Sequence, residues 1–295
     1  MATIDYASKY SNKVDERFSI VSKTGVAINQ EYDFVGVKSV HVYSIGVASM
    51  NDYARTGQNR FGNPDELDIT DEELAMKKDR SFTFTIDRGN YEDTQMVAEA
   101  GKALNRQLTE VVIPEVDKYR LAVMGAQAGL KSTPAAITKQ NAYAAILDAN
   151  EALSNAMAPE AGRVCYCTTA FYKFIKQDDA FIKKGDLSQE LAINGAIGAV
   201  DGIPLIVLPA AYMPTKTDFI VTNKIACCAP IKLANYRVND KPQGIDGWLV
   251  EGRIYYDAFV LGNKKNAIYR HLNAALTEGE ITAEKVFANT GAKAE

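Results

Sequence analysis

The sequence has 295 residues, of which 47% are hydrophobic and 24% are charged, and its net charge is -4. This composition is ordinary for a globular protein, and the slight negative charge excludes a global basic field that would recruit nucleic acid. No apolar run is long enough to span a bilayer, and the N-terminal residues lack the apolar core of a signal peptide, so we expect neither a membrane span nor export.

The first 32 residues contain only short apolar clusters among polar residues. Because so little apolar surface cannot support independent folding, residues 1–32 are predicted to form an arm that is ordered only against a neighbour.

Two strands follow, over 35–47 and 81–87. The first is rich in Val, Ile and Tyr, and the second alternates apolar and polar residues.

About thirty residues separate these strands, which is too long for an ordinary hairpin loop. They include an acidic run and then basic residues: Asp65, Glu66, Asp68, Asp71, Glu72 and Glu73, followed by Lys77, Lys78 and Arg80. A solvated surface loop is the simplest interpretation. A cation site is disfavoured, since the run lacks the glycine and alternate-ligand spacing of a calcium loop. The third interpretation is a projecting loop that pairs with charges on another subunit. The size of the insertion makes this interpretation competitive with that of a solvated surface loop.

The longest helical pattern covers residues 91–127, where apolar residues recur at steps of three and four. At ~1.5 Å per residue this helix would extend on the order of 50 Å, which is longer than a compact domain needs. Pro114 interrupts the pattern, because proline cannot donate to the carbonyl of Glu110 and its ring crowds that carbonyl. We therefore predict a kink, or two abutting helices, at Pro114.

A mixed α/β domain is predicted over residues 134–240. Its elements are, in order, helix 141–156, strand 163–169, helix 170–177, strand 203–208 and strand 218–222. The strand at 203–208 has Pro204 near its start and Pro209 at its end, and it is preceded by Gly195, Gly198 and Gly202. A phosphate-binding loop would need its strand before the glycines and a Lys-Ser or Lys-Thr after them, so these glycines indicate a tight turn into a core strand.

The chain then returns as two predicted strands within 248–272, joined by a turn at Gly262-Asn263. They have no helix of their own, so we expect them to pack along the 91–127 helix. Trp248, Tyr255, Tyr256 and Phe259 in this part are typical of core packing. Residues 273–295 are predicted to be a tail of low order with one weak helix near 282–288.

Groups that carry chemistry are few. His41 and His271 lie in predicted strands far apart, with no nucleophile motif near either, so both are interpreted as structural or surface histidines. Cys165 and Cys167 face the same side of a strand, and Cys227 and Cys228 are adjacent. Neither spacing matches a zinc framework, so buried packing thiols are expected, with no metal, no cofactor and no catalytic site.

The order of these segments resembles the major capsid proteins of tailed bacteriophages with the Hong Kong 97-type fold. Two stretches are similar to that family: EVVIPEVDKYRL at 110–121 and GAIGAVDGIPLIVLP at 195–209. The likeness covers about residues 1–272. It implies an α+β fold with the following parts: an N-terminal arm at 1–32, strands and an extended E-loop at 33–90 with its tip at about 48–80, the long helix of the P-domain at 91–133, an A-domain at 134–240, returning P-domain strands at 241–272 and a C-terminal tail at 273–295.

The resemblance also implies a function. The chain would be a non-enzymatic subunit that assembles with copies of itself, as hexameric and pentameric capsomers, into an icosahedral head around double-stranded DNA. Its partners would be a scaffolding protein, a portal and decoration proteins, with only non-specific proximity to DNA and no membrane. It would be assembled in the host cytoplasm and reside in the virion. The shell of an encapsulin-type nanocompartment and an enzyme with a site in the α/β domain remain the alternatives.

Overall fold

The computed structural model describes residues 22–29, 39–47, 49–62, 66–67, 69–93, 100–178, 196–240 and 242–290. The chain divides into two compact units, which we call the hairpin unit, Phe34–Met76, and the main unit, Met1–Asp33 with Lys77–Glu295. Helices and strands are mixed along the main unit, so the predicted α+β class is confirmed.

The described helices and strands run in chain order as β1 (Ser39–Ile45), β2 (Ile69–Ala75), β3 (Lys78–Asp87), α1 (Arg88–Asp93), α2 (Ala100–Gln107), α3 (Ile113–Ala126), β4 (Leu130–Lys131), α4 (Ala142–Asn155), β5 (Arg163–Thr168), α5 (Thr169–Gln177), β6 (Ala196–Val200), β7 (Ile203–Leu208), β8 (Thr217–Asn223), β9 (Cys227–Cys228), β10 (Ile231–Asp240), β11 (Gly247–Tyr256), β12 (Phe259–Val260), β13 (Ile268–Leu272) and α6 (Glu278–Thr290). Short 3-10 helices lie at Gly25–Ala27, Ala210–Tyr212 and Gly262–Ala267.

The hairpin unit is an antiparallel ribbon of β1 and β2, in which Ser39 pairs with Ala75 and Ile45 with Ile69. The prediction that the whole stretch between the two predicted strands is a loop is therefore wrong from Ile69 onward. Acidic residues have low strand propensity, but pairing along the full length of β1 outweighs that preference.

The helix predicted over 91–127 is confirmed from Ala100 to Ala126, with residues 94–99 outside the described part, and it changes its hydrogen bonding before Pro114. A π-helical turn, Leu108–Val112, joins α2 to α3, and the N–H of Ile113 donates to the carbonyl of Leu108. Pro114 then lies in the first turn of α3, where a backbone N–H has no partner within the helix. The expectation of two helices abutting at Pro114 is confirmed. We call α2, the π-helical turn and α3 the spine.

Two sheets flank this spine. The larger one has the order β4–β13–β8–β5–β7–β6, and the smaller has the order β10–β11–β3. The predicted strands at 163–169, 203–208 and 218–222 are all confirmed in the larger sheet, and helices α4 and α5 fall where they were predicted.

The returning strands differ from the prediction. β11 pairs with β3 along its full length, from Gly247 opposite Asp87 to Tyr256 opposite Lys78. β13 instead pairs with β8 in the larger sheet, because β12 and a 3-10 helix, and not a tight turn, connect it to β11. β10 was not predicted, and it places residues 231–240 in the smaller sheet beside β11.

The spine and the smaller sheet share one hydrophobic core. Leu104, Leu108, Val112 and Val116 of the spine are buried in the same cluster as Val250, Ile254 and Tyr256 of β11. The predicted packing of a returning strand along the helix therefore holds for β11. A second core lies between α4, α5 and the larger sheet, and its buried members include Ile146, Phe171, Leu205 and Phe219.

Two described segments near the chain ends, 22–29 and 278–290, are more ordered than predicted. Ala27 and Ile28 are buried in the core of their own subunit, so residues 22–29 are not an arm that is ordered only against a neighbour. At the other end, α6 begins at Glu278, earlier than the weak helix predicted near 282–288, and it contacts α3.

The glycine-rich stretch forms a hairpin that was only partly predicted. Asp201 and Gly202, with φ of 52° and 75°, make the turn between β6 and β7, and both values are typical of a type I′ turn. Gly198 lies within β6 and Pro204 within β7, while Pro209 directly follows β7. Gly195 lies outside the described residues. The predicted tight turn into a core strand is confirmed at Gly202.

Candidate functional site

The hairpin unit carries most of the exposed apolar surface of the described chain. Eight of the twelve large hydrophobic residues that are exposed in the described part belong to it: Tyr43, Ile45, Val47, Met50, Tyr53, Phe61, Leu67 and Ile69. Val47, Met50 and Phe61 are 96%, 99% and 84% exposed. A contiguous apolar patch is uncommon on a monomer and marks a surface that another molecule covers.

The alternation of β1 explains part of this patch. Tyr43 and Ile45 lie two residues apart on one face of the strand, and Ile69 is directly opposite Ile45 in β2. Beyond the paired strands, the ring of Tyr53 contacts that of Phe61 edge-on at 5.0 Å, and the N–H of Ala54 donates to the carbonyl of Arg60. The end of the hairpin is therefore a folded loop that presents apolar side chains.

The hairpin unit also holds the net charge of the molecule. It contains 3 Lys or Arg residues against 7 Asp or Glu residues, a net charge of -4, which equals the net charge of the whole chain. Any surface that covers the unit must therefore match acidic groups as well as apolar ones.

The acidic residues singled out in the sequence are divided among several positions. Asp71, Glu72 and Glu73 lie in β2, Glu66 is exposed in the loop before it, and Asp65 lies outside the described residues. Asp71 already has a partner in its own hairpin, because its carboxylate lies 2.9 Å from Nδ1 of His41 on β1.

The basic residues after the acidic run belong to the main unit and contact other residues of it. Arg80 donates through Nε to Glu115 of the spine at 2.8 Å, and the ammonium of Lys78 lies 4.8 Å from the ring centre of Tyr119. Burial, together with the charge of Arg80, lowers the pKa of Lys78. The backbone N–H of Lys77 donates to Asp257 at 2.7 Å.

Asp257 is the group that fixes the beginning of β3. Its buried carboxylate accepts hydrogen bonds from the Lys77 N–H, from the hydroxyl of Tyr119 at 2.6 Å and from the N–H of Ala258 at 2.8 Å. Three donors satisfy most of the hydrogen-bonding capacity of a buried carboxylate, so the charge is stabilised. The bond to Asp257 thereby anchors Lys77, the first residue after the hairpin unit.

A second buried carboxylate anchors the N-terminal segment. Asp117 of the spine accepts hydrogen bonds from the hydroxyls of Ser22 and Thr24, at 2.7 and 2.6 Å, and from the N–H of Lys23 at 2.9 Å. The hydroxyl of Tyr166 in turn donates to the carbonyl of Thr24. These bonds hold residues 22–29 against the spine.

The histidines and cysteines have the structural roles that were expected. His41 is in the hairpin, and buried His271 stacks on the ring of Phe219 at 4.9 Å. Cys165, Cys167, Cys227 and Cys228 are all buried free thiols, and burial raises the pKa of each. Cysteines that stay protonated at neutral pH are poor nucleophiles.

The described part of the chain offers neither a metal site nor a membrane-spanning helix. Within it, no group of three or more His, Cys, Asp or Glu side chains is arranged to hold a metal ion. Its helices are also too short or too polar to cross a membrane.

Sequence reasoning singled out the charges of the hairpin and missed its apolar residues. Tyr43, Ile45 and Val47 belong to the strand predicted over 35–47, but nothing in the sequence singled them out as exposed. Only the β1–β2 pairing reveals that Ile69 extends the same surface.

Comparisons of the sequence found no protein-family match and no similar curated protein. Solved structures do match. A structure described as Mycobacterium phage Che8 is 17% identical over 85% of this chain and 90% of that chain, with a TM-score of 0.66. The capsid structure of the cyanophage P-SCSP1u is 13% identical over 82% and 85% of the two chains, with a TM-score of 0.65. The head structure of Helicobacter pylori bacteriophage KHP40 is 11% identical over 85% and 90%, with a TM-score of 0.60. The chain therefore has the Hong Kong 97-type fold of tailed-phage capsid structures.

Proposed function

We propose that this chain is the shell-forming subunit of a tailed-bacteriophage head that encloses double-stranded DNA. The fold supports this, since all three compared structures are from phages, two of them are described as a capsid and a head, and all are matched over most of their length. Fold alone does not define function, so the proposal also needs a surface suited to assembly.

The observation that carries the proposal is the hairpin unit with its exposed apolar residues. A monomer gains nothing from leaving Val47, Met50 and Phe61 in water, whereas burial of such side chains contributes about 1.5–3 kcal/mol each. Repeated contacts between one surface and a different surface of the next copy close into rings and shells when the rotation suits.

The hairpin unit then corresponds to the E-loop, and it contacts a neighbouring subunit of the same capsomer. The apolar residues provide the buried area, while Asp65, Glu66, Asp71, Glu72 and Glu73 select a basic rim on the neighbour. The contacts of Lys77, Lys78 and Arg80 hold the start of β3 in place. The exposed parts of these side chains extend the contact with the neighbouring subunit.

The remaining parts follow the same scheme. The spine and the smaller sheet make up a P-domain, and the larger sheet with α4 and α5 makes up an A-domain around the axes of hexamers and pentamers. Residues 1–21 and 30–32 of the predicted arm lie outside the described residues. A scaffolding protein, a portal and decoration proteins are the expected partners. The protein is assembled in the host cytoplasm, resides in the virion and is non-enzymatic. Genomic DNA inside isolated particles would distinguish it from a nanocompartment shell.

A shortened hairpin tests the proposal. Because Ile45 and Ile69 are directly opposite, residues 46–68 can be replaced by Asn-Gly, which favours a two-residue hairpin turn. We expect this variant to keep the circular dichroism spectrum and melting temperature of the parent while electron microscopy finds no shells. Shells of normal size from the shortened chain would refute the role of the hairpin.

A further inference from the structure

Arg270 of β13 is fully buried, and it connects four separate parts of the main unit. Its Nε donates to the hydroxyl of Thr217 at 2.7 Å, at the start of β8, and one terminal nitrogen donates to the carbonyl of Thr215 at 2.8 Å. The other terminal nitrogen donates to the carbonyl of Gly125, near the end of α3, at 3.1 Å.

The counter-charge of Arg270 comes from the C-terminal helix. Both carboxylate oxygens of Glu284 accept hydrogen bonds from the guanidinium, at 2.7 and 2.8 Å. All five N–H groups of the arginine are thereby used, and the planar pairing with the carboxylate fixes the orientation of both side chains. A buried cation that lost this carboxylate would be strongly destabilised.

The end of α3 and the residues after it lie close to the segments that precede β8 and β13 of the larger sheet. A Cβ on Gly125 would lie 2.7 Å from Cγ of Pro214, and one on Gly129 would lie 2.8 Å from backbone atoms of Lys265. The N–H of Gly129 also donates to the carbonyl of Lys265. The backbone of residues 125–129 therefore packs directly against the segments that lead into β8 and β13, with little room for adjustment.

The helix that supplies Glu284 is attached mainly by polar contacts where its side chains are described. Within residues 278–285 no side chain is fully buried, while Lys216 contacts Glu280 at 2.7 Å. Thr277 and Glu280 form a reciprocal capping box at its start. The ion pairs, more than apolar burial, determine where this part of α6 lies.

We propose that Arg270 is a positioning residue, through which the C-terminal helix fixes the direction of the spine relative to the larger sheet. Its consequence for the shell rests on the proposed function. If spine and sheet meet at a fixed angle in each copy, that angle sets the curvature of the particle and hence a single diameter.

The test compares Glu284→Gln with Glu278→Gln, an exposed glutamate of the same helix. Hydrogen exchange is measured on the unassembled full-length chain, so that the result does not depend on shell formation. For Glu284→Gln we expect exchange to become on the order of tenfold faster or more at 121–127 and 215–222. The substitution weakens the hydrogen bonds from the Arg270 guanidinium in the folded state, so that local opening costs less free energy. For Glu278→Gln we expect the exchange of the parent. Faster exchange confined to 278–290 would overturn the inference.

Particle diameter gives the second readout. Glu284→Gln is expected to give mixed diameters or open sheets, and Glu278→Gln a single diameter; parent-like particles from Glu284→Gln would contradict the curvature claim. If the parent itself forms no particles, the proposed function fails while the exchange data still decide the role of Arg270. Should Glu284→Gln not fold, Thr217→Val is measured against the same two outcomes; it removes the acceptor for Nε and the hydrogen bond from the same hydroxyl to the carbonyl of Thr215.

Discussion

Gly252 shows how one residue without a side chain determines the packing of the smaller sheet. It lies opposite Phe82 on β3 and Tyr236 on β10, and the two rings approach each other across it with centres 6.0 Å apart. A Cβ at this position would lie 2.4 Å from the Phe82 ring and 2.7 Å from the Tyr236 ring. The rings occupy the volume that any larger residue would need.

We predict that Gly252→Ala destabilises the protein by about 1–3 kcal/mol through overpacking, measured as a loss of melting temperature or denaturant midpoint. Gly279→Ala is the matched control, because nothing lies within 4 Å of its added Cβ and the position is in the first turn of α6. The control is expected to be neutral or slightly stabilising. Equal stability of the two variants would show that the sheet adjusts freely at Gly252.

Residues of this kind could not be found from the sequence. The partners of Asp257 lie 138 and 180 positions away, at Tyr119 and Lys77, and nothing in the local pattern distinguishes this aspartate from an exposed one. Arg270 likewise appeared only as part of a predicted strand. By contrast, Pro114 was predicted correctly, because the effect of proline on a helix is local.

At the scale of elements, the docking of α6 depends on an ion pair that acid removes. The hydrogen bond from Lys216, then that from the N–H of Thr277, lowers the pKa of Glu280 from the ordinary 4.5 to about 2. Because the pKa is lowered in the folded state, the stabilisation is fully present above about pH 4.5 and is lost as the pH falls towards 2.

We therefore expect Glu280 to protect the amides of α6 at neutral pH and to lose this effect between about pH 4.5 and about pH 2. Hydrogen exchange of residues 278–290 in the parent is compared with that in Glu280→Gln at each pH, so that the intrinsic pH dependence of exchange cancels. An equal difference between the two proteins across this range would exclude Glu280 as the titrating group.

Charge on β2 is the second element whose role can be tested. Reversal of Asp71, Glu72 and Glu73 to Lys is expected to weaken shell assembly and to change its dependence on salt, because pairing with a basic rim is screened by ions. Reversal of Glu92, Glu151 and Glu160, which are exposed outside the hairpin, changes the net charge equally and serves as control. Light scattering during assembly at several salt concentrations measures both. Identical behaviour of the two triple variants would reduce the acidic run to a solvated surface.

The elements themselves were predictable to different degrees. The spine, α4, α5 and strands β5, β7 and β8 have clear periodicity or continuous apolar runs, and all were anticipated. β2, β6 and β10 were not, since their sequences are acidic, glycine-rich or mixed, and each becomes a strand through pairing with a better strand former.

At the scale of the whole molecule, the order of segments predicted the architecture better than any single segment did. Arm, long insertion, long helix, α/β region and returning strands were sufficient to suggest the Hong Kong 97-type fold. The pairing of strands was not predictable in the same way: β13 joins β8 and β10 joins β11 through contacts that only the folded chain reveals. The insertion was singled out by its charges as a contact surface, which stays a prediction, and its exposed apolar side chains were overlooked.

The central claim is that copies of this chain form a closed shell in which each hairpin is covered by another copy. Cryo-electron microscopy of the expressed full-length protein, with its scaffolding partner where one is needed, tests this most directly. We predict closed icosahedral particles in which Val47, Met50 and Phe61 lie against a neighbouring subunit. A protein that stays monomeric under all assembly conditions, or closed particles whose hairpins remain in solvent, would contradict the account.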